Sequence, residues 1–306
     1  MFLIRLFVMP DNPETDAMQQ HSINGLNLCC RSRGQPGEPV VVCLHGLLDN
    51  GGSFAPLIDA LAPRLASPAY WLAPDWRGHG DSAWTPGDYV FCNYLADLEA
   101  LLDTLVPGQT VLLIGHSMGG QAASLYAGIR AERIAGLILL DTLNVPEGDP
   151  NTAGERYRDW LDTCYAPPAP RRYADPEAFT ARLARRYPEL GRAATTALAE
   201  LWLRRDGDGY RLAADPAHLR KSPYGFRADE AMAIWAEITA PVLMIDGAAS
   251  PAKGFIDEAT RAERRRVLAD LEHTELDDLG HMLHWQAPDR VAETIADFIA
   301  SRRLLA

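Results

Sequence analysis

The chain has 306 residues, enough to bury a substantial core, and its 47% hydrophobic and 23% charged residues are those of a folded globular protein rather than a disordered one. A formal net charge of −12 would be repelled by phosphate backbones and anionic headgroups, which argues against nucleic-acid partners and charge-driven membrane attachment but leaves acidic small molecules open. No apolar run approaches the roughly 18 residues of a membrane span.

The N-terminal stretch Phe2-Leu3-Ile4-Arg5-Leu6-Phe7-Val8 is broken by Arg5 and followed by Pro10, Asp11 and Glu14 without a small-residue cleavage site. That argues against a signal or anchor, and residues 1–17 read as a loose tail. Residues 18–34 then read as an antiparallel hairpin turning at Asn24-Gly25. Continuous apolar runs at Val40–Leu44, Trp71–Ala73, Val111–Ile114, Leu137–Leu140 and Val242–Ile245 read as buried strands of a parallel sheet. Helical stretches alternate with them at Phe54–Leu65, Asn93–Leu105, Gly119–Arg130, Asp229–Glu237 and Pro288–Arg302. This alternation predicts an α/β fold with a doubly wound, mostly parallel sheet over 18–143 and 239–306. Residues 144–238 contain no convincing buried strand and are far too long for a loop. With helical stretches at Tyr157–Cys164, Pro176–Tyr187 and Arg192–Arg204, punctuated by Ala166-Pro167-Pro168 and Asp206-Gly207-Asp208-Gly209, they read as an inserted helical cap. Cys29, Cys30, Cys43, Cys92 and Cys164 form no C-x-x-C pair and no even framework, which suits a reducing cytoplasm.

Four short stretches carry the chemistry. In Leu112-Leu113-Ile114-Gly115-His116-Ser117-Met118-Gly119-Gly120 an apolar strand runs into G-x-S-x-G and a helical pattern runs out of it. Such a bend needs small residues beside the serine and presents the Ser117 hydroxyl at the carboxyl edge of the sheet, with the Met118 N–H aimed where an oxyanion would form. Val41-Val42-Cys43-Leu44-His45-Gly46-Leu47 ends a strand in a tight turn whose Leu47 N–H can be the second oxyanion donor, His45 bracing the turn. In Ala73-Pro74-Asp75-Trp76-Arg77-Gly78-His79-Gly80-Asp81-Ser82, Asp75 and Arg77 are expected to brace loops, and Trp76 to line a pocket. In Asp278-Leu279-Gly280-His281-Met282-Leu283-His284-Trp285, His281 is the better base for Ser117 and His284 its rival. His21, His218 and His273 have no motif and are expected at the surface, and His116 is expected to pack or bond locally.

The chain order Ser117, acid, His281, with His45-Gly46-Leu47-Leu48-Asp49-Asn50, Ser53-Phe54, Gly78-His79-Gly80-Asp81-Ser82, Leu219, Ser222-Pro223 and Gly280-His281-x-x-His284, resembles the serine hydrolase-like protein branch of the α/β-hydrolase superfamily. The resemblance spans about His21 to Ile299 and implies a cap over the active site, hydrolase activity without cofactor and poorly defined natural substrates; a small-molecule substrate and no metal are expected. In most members the acid follows the strand matching Val242–Ile245, but there this chain reads Asp246-Gly247-Ala248-Ala249-Ser250, with Ser250 at the usual aspartate position. Asp141, Asp246 and Asp257 remain as candidates. Geometry favours Asp141: about 12 helical residues descend roughly 18 Å from Ser117 and about six strand residues climb back roughly 20 Å, to the same sheet edge.

These residues predict cleavage of an ester, thioester or amide through a Ser117–His281–Asp141 triad and an acyl-enzyme. Two other readings stay open, a carbon–carbon bond hydrolase on the same scaffold and a binding protein that lost its chemistry. Trp160, Trp202 and Trp235 are expected to fill cores rather than line the pocket. Substrate and oligomeric state are not legible.

Overall fold

The computed structural model describes residues 16–87, 89–165 and 169–305. The tail expected over residues 1–17 lies outside these except for Asp16 and Ala17, which already belong to a strand, and Ala166-Pro167-Pro168 lies outside them altogether. Strands β1 (Asp16–Ile23) and β2 (Leu26–Arg33) pair antiparallel as the expected hairpin. Asn24 and Gly25 both take positive φ (50° and 77°), the tight turn whose twist matches the strands.

The chain continues through β3 (Val40–Leu44), α1 (Ala55–Leu61), β4 (Tyr70–Pro74), α2 (Phe91–Leu105), β5 (Val111–His116), α3 (Met118–Ile129) and β6 (Ile134–Leu140). It then leaves the sheet for α4 (Ala153–Tyr165), β7 (Arg172–Tyr173), α5 (Pro176–Arg186), α6 (Arg192–Trp202), β8 (Leu203–Asp206), β9 (Gly209–Leu212) and α7 (Ala228–Trp235). It returns with β10 (Val242–Gly247), α8 (Glu258–Arg266), β11 (Leu271–Leu276), α9 (Leu283–Gln286) and α10 (Pro288–Arg302).

Eight strands form the main sheet in the order β1-β2-β4-β3-β5-β6-β10-β11, antiparallel at β1/β2 and β2/β4 and parallel elsewhere. The central strands are buried on both faces, and side-chain alternation divides them between two cores. Val40, Val42, Val111, Leu113, Leu137 and Leu139 face Leu98 and Leu101 of α2, Tyr126 of α3 and Trp235 of α7. Val41, Cys43, Leu112, Ile114, Ile138 and Ile245 face Leu57 and Leu61 of α1 and Ile295 and Phe298 of α10. From β3 the chain moves one way to β4 and then crosses back to β5 on the other side, so the crevice beyond the carboxyl ends of β3 and β5 is the switch point where open α/β sheets place their ligands.

The segment between β6 and β10 departs from expectation in two ways. It is not all helical: β7, β9 and β8 make a three-stranded antiparallel sheet, with Gly207 at φ 62° in the β8–β9 turn. Short, half-exposed strands of Arg, Tyr and Asp lack the continuous apolar signal that marks buried ones. In addition α7 belongs by packing to the main core, where Trp235 is fully buried and its indole N–H donates to Ser124 Oγ at 2.9 Å. The remainder has its own small core around Phe179, Leu183, Leu198 and Trp202, completed by Met282 from the loop that carries His281. Polar contacts tie it down as well: the Trp202 indole N–H donates to Asp49 Oδ1 (2.6 Å), Asn50 Nδ2 to the Leu201 carbonyl (3.1 Å), and Arg204 to Asp81 (2.9 and 3.1 Å). Among the described residues no helix is long and apolar enough to cross a membrane.

Candidate active site

Ser117 stands between β5 and α3 at φ 52°, ψ −118°, a conformation costly for a residue with a side chain. The surroundings hold it there: its N–H donates to the Leu140 carbonyl (3.0 Å), and its carbonyl accepts from the Thr142 hydroxyl (2.7 Å) and the Gln121 N–H (3.0 Å). The bend also demands glycine beside it. A Cβ on Gly115 would meet Gly120 Cα at 2.5 Å, and one on Gly119 would meet the Leu44 carbonyl oxygen at 2.0 Å. Gly119→Ala therefore drives backbone into backbone, and its expected cost of more than about 4 kcal/mol is read as lost soluble protein or a collapsed urea midpoint.

His281 arrives from the loop after β11. Its Nε2 lies 3.1 Å from Ser117 Oγ and its Nδ1 2.5 Å from Asp141 Oδ2. Because a carboxylate only accepts, Nδ1 carries the proton and the Nε2 lone pair faces the serine hydroxyl. Asp141 follows β6 directly, at φ 46°, and its N–H continues the ladder to the Ile245 carbonyl (2.9 Å), which keeps it on the rim beside Ser117. Its carboxylate is buried, and its donors are the His281 ring, the Ser250 hydroxyl (2.5 Å to Oδ2) and, more distantly, the Gly247 N–H (3.4 Å to Oδ1). Ser250, standing where an acid is usual, instead donates a hydrogen bond to the acid on the neighbouring strand.

The rival residues are engaged elsewhere. Asp246 pairs with His273 Nε2 at 2.9 Å, and Asp257 is the exposed N-cap of α8, accepting from Thr260 N–H at 2.8 Å. His284 is fully buried, stacks on Phe54 and bonds Ser53 Oγ at 3.2 Å, and burial lowers its pKa to about 3. His45 is neutral for the same reason, its pKa also lowered to about 3, and it bridges the Trp76 N–H (2.9 Å) and the Gly46 carbonyl (2.8 Å) as a turn brace. Gly46 packs so close to Ser117 that a Cβ on it would lie 3.3 Å from Ser117 Cβ, which sets the following residue, Leu47, beside the bend, while Met118 opens α3.

Several expectations need correction. Trp76 does not line a pocket: it is buried in the main core and its indole N–H donates to the His45 carbonyl at 3.0 Å. His218 is not a plain surface residue but stacks on Tyr89 (ring centroids 3.7 Å apart) and beside His79 (4.0 Å). His116 bonds a residue distant in sequence, its Nε2 donating to the His281 carbonyl at 2.9 Å. Asp75 and Arg77 do brace loops: Asp75 accepts from the Gly51 and Asp81 N–H groups and pairs with Arg31, and Arg77 forms a two-pronged pair with Asp97, both distances 2.6 Å. Trp202 and Trp235 fill cores as expected.

A doubly wound sheet with a serine on the strained bend after a central strand, and an imidazole and a carboxylate meeting it at the same rim, defines an α/β-hydrolase fold. The description "Alpha/beta hydrolase family" matches residues 41–294, and the chain belongs to that family. It is similar to 2-(acetamidomethylene)succinate hydrolase of Mesorhizobium japonicum, 26% identical over 277 residues that cover 90% of this chain and 93% of that one. Lipase LipV of Mycobacterium tuberculosis is 30% identical over 293 residues, covering 90% of this chain and 99% of its own. The crystal structure of the hypothetical protein PA1622 from Pseudomonas aeruginosa superposes with a TM-score of 0.80 at 28% identity, covering 92% of this chain and 99% of that one. The likeness to the serine hydrolase-like branch is more local, 36% identity to the Danio rerio protein over 36% of this chain and 32% of that one.

Proposed function

We propose that the protein is a serine hydrolase that cleaves an ester, thioester or amide bond of a small molecule through an acyl-enzyme. The observation that carries this reading is the continuous chain from Ser117 Oγ through the His281 ring to Asp141. Ser117 Oγ attacks the carbonyl carbon as His281 Nε2 takes its proton, and Asp141 stabilises the imidazolium. The N–H groups of Leu47 and Met118 hold the tetrahedral oxyanion, each contributing about 10²–10³ in rate. The protonated His281 then donates to the leaving group, and water hydrolyses the acyl-enzyme by the reverse relay. Helix α3 starts directly beneath Ser117, so its N-terminal end favours the same developing negative charge.

The segment between β6 and α7 acts as the cap. It is fastened to the loop after β3 through Asp49 and Asn50 and to the His281 loop through Met282, so it is placed to bound the substrate and exclude water. Similarity to a lipase and to 2-(acetamidomethylene)succinate hydrolase supports a hydrolase of small carbonyl compounds. The reading of a chemistry-free binding protein rested on the missing acid after β10; the hydrogen bond between Asp141 and His281 supports the catalytic reading instead.

A rapid-mixing assay with short-chain p-nitrophenyl esters checks the proposal. The expected result is a burst of p-nitrophenol close to one equivalent per chain, followed by slower turnover. Hydrolysis with no burst, unaffected by organophosphonates, would point to a reaction without an acyl-enzyme.

A further inference from the structure

We propose that Asp49, His116 and His284 form a buried site for one divalent transition-metal ion of the zinc class. Asp49 Oδ2, His116 Nδ1 and His284 Nδ1 are buried atoms without a hydrogen-bond partner, and the three residues each bring one ligand atom within 4.8 Å of the others. The three residues are 4%, 2% and 0% exposed. They come from the loop after β3, the end of β5 and α9, so no sequence spacing announces them. Leaving three buried polar atoms unsatisfied side by side is costly, and such groups in native proteins normally have a partner.

The remaining polar atoms of these side chains are all occupied, and their bonds decide which protons are present. Asp49 Oδ1 accepts from the Trp202 indole (2.6 Å) and the Asn50 N–H (2.8 Å), both neutral donors. His116 Nε2 faces the His281 carbonyl, which can only accept, so Nε2 holds the proton and Nδ1 is a lone pair. His284 Nε2 faces Ser53 Oγ, which already accepts from the Trp285 indole at 3.0 Å. With Nε2–H donating there, His284 Nδ1 is also a lone pair, while burial raises the pKa of the Asp49 carboxyl to about 7 against the donors around it. With the Asp49 carboxyl ionised, three acceptors converge with no donor among them. One water has two hydrogens for three acceptors, whereas a cation satisfies all three and supplies the positive charge that the Asp49 carboxylate lacks.

Two imidazoles and a carboxylate are a zinc-type donor set, and each ring is oriented from behind by a bond on its other nitrogen, as metal-bound histidines are. A tetrahedral ion with bonds of 2.0–2.1 Å wants donors about 3.3 Å apart, so loading draws the three side chains inward. None of the ligands is Ser117 or His281, and the site stands whether or not the triad turns over. Its link to the triad is mechanical: the ion would fix His116, which holds the backbone of the base.

The test uses the full chain, stripped with chelator, incubated with Zn²⁺ or Co²⁺, and desalted. One retained equivalent of Zn²⁺ is expected, with a raised Tm and, for Co²⁺, the intense visible absorption of four-coordinate geometry. His284→Gln and Asp49→Asn should each weaken binding about 100-fold or more, while His281→Ala and His273→Ala keep it. The Tm of each variant without metal reports folding, and the Co²⁺ spectrum of the unaltered chain decides independently if a variant fails to fold. No retained metal, or only the weak spectrum of six-coordinate Co²⁺, would mean that water alone fills the site and overturns the proposal. Loss of binding in His281→Ala with retention in His284→Gln would place the ion at the triad and overturn it equally.

Discussion

Ser117→Ala is expected to lower ester turnover by about 10⁴–10⁶-fold and to abolish covalent labelling by an organophosphonate. The size of the effect follows from what remains: oxyanion donors and the cleft still bind substrate, but no group is left to form the acyl bond. The methyl group fits the space of the hydroxymethyl, and the strained bend is held by hydrogen bonds of the Ser117 backbone to the Leu140 carbonyl, the Thr142 hydroxyl and the Gln121 N–H, none of which involves the Ser117 hydroxyl. The variant should therefore fold with an unchanged Tm. Labelling that persists with undiminished stoichiometry would locate the nucleophile elsewhere and remove the proposed mechanism.

The acid makes the second large prediction. Asp141→Asn should lower kcat by about 10⁴-fold, because an amide nitrogen facing His281 Nδ1 favours the tautomer with its proton on Nε2, pointing at the serine it should deprotonate. Asp246→Asn and Asp257→Asn should stay within about threefold, since one carboxylate is occupied with His273 and the other caps α8. Ser250→Ala removes one hydrogen bond to the same Asp141 oxygen that His281 uses and should cost about tenfold, between the two extremes. Steady-state kinetics on one ester across the four variants gives the ranking. If Asp246→Asn were the damaged variant and Asp141→Asn the silent one, the assignment of the acid would be reversed.

Much of this site could be read before any coordinates. The elbow around Ser117 is local chemistry: an apolar strand, a bend that only glycine can flank, and a helix start, all within nine residues of sequence. His281 was legible from its place after the last strand and before the final helix. Asp141 could be reached by counting helix descent against strand ascent, but not separated from Asp246 and Asp257, because all three lie in or beside loops on the later strands and the choice depends on which carboxylate turns toward the imidazole.

Periodicity and steric demand along the chain determined the strands, the helices that cover them and the bend at Ser117, since each depends on neighbours a few residues away. Only the tertiary structure decided what those elements bring together. Ser250 meets Asp141 across 109 residues, His281 meets it across 140, and Asp49, His116 and His284 converge from three separate elements. Hydrogen bonds and metal-ligand clusters of that kind are set by strand order and loop docking. A linear pattern carries no direct record of either.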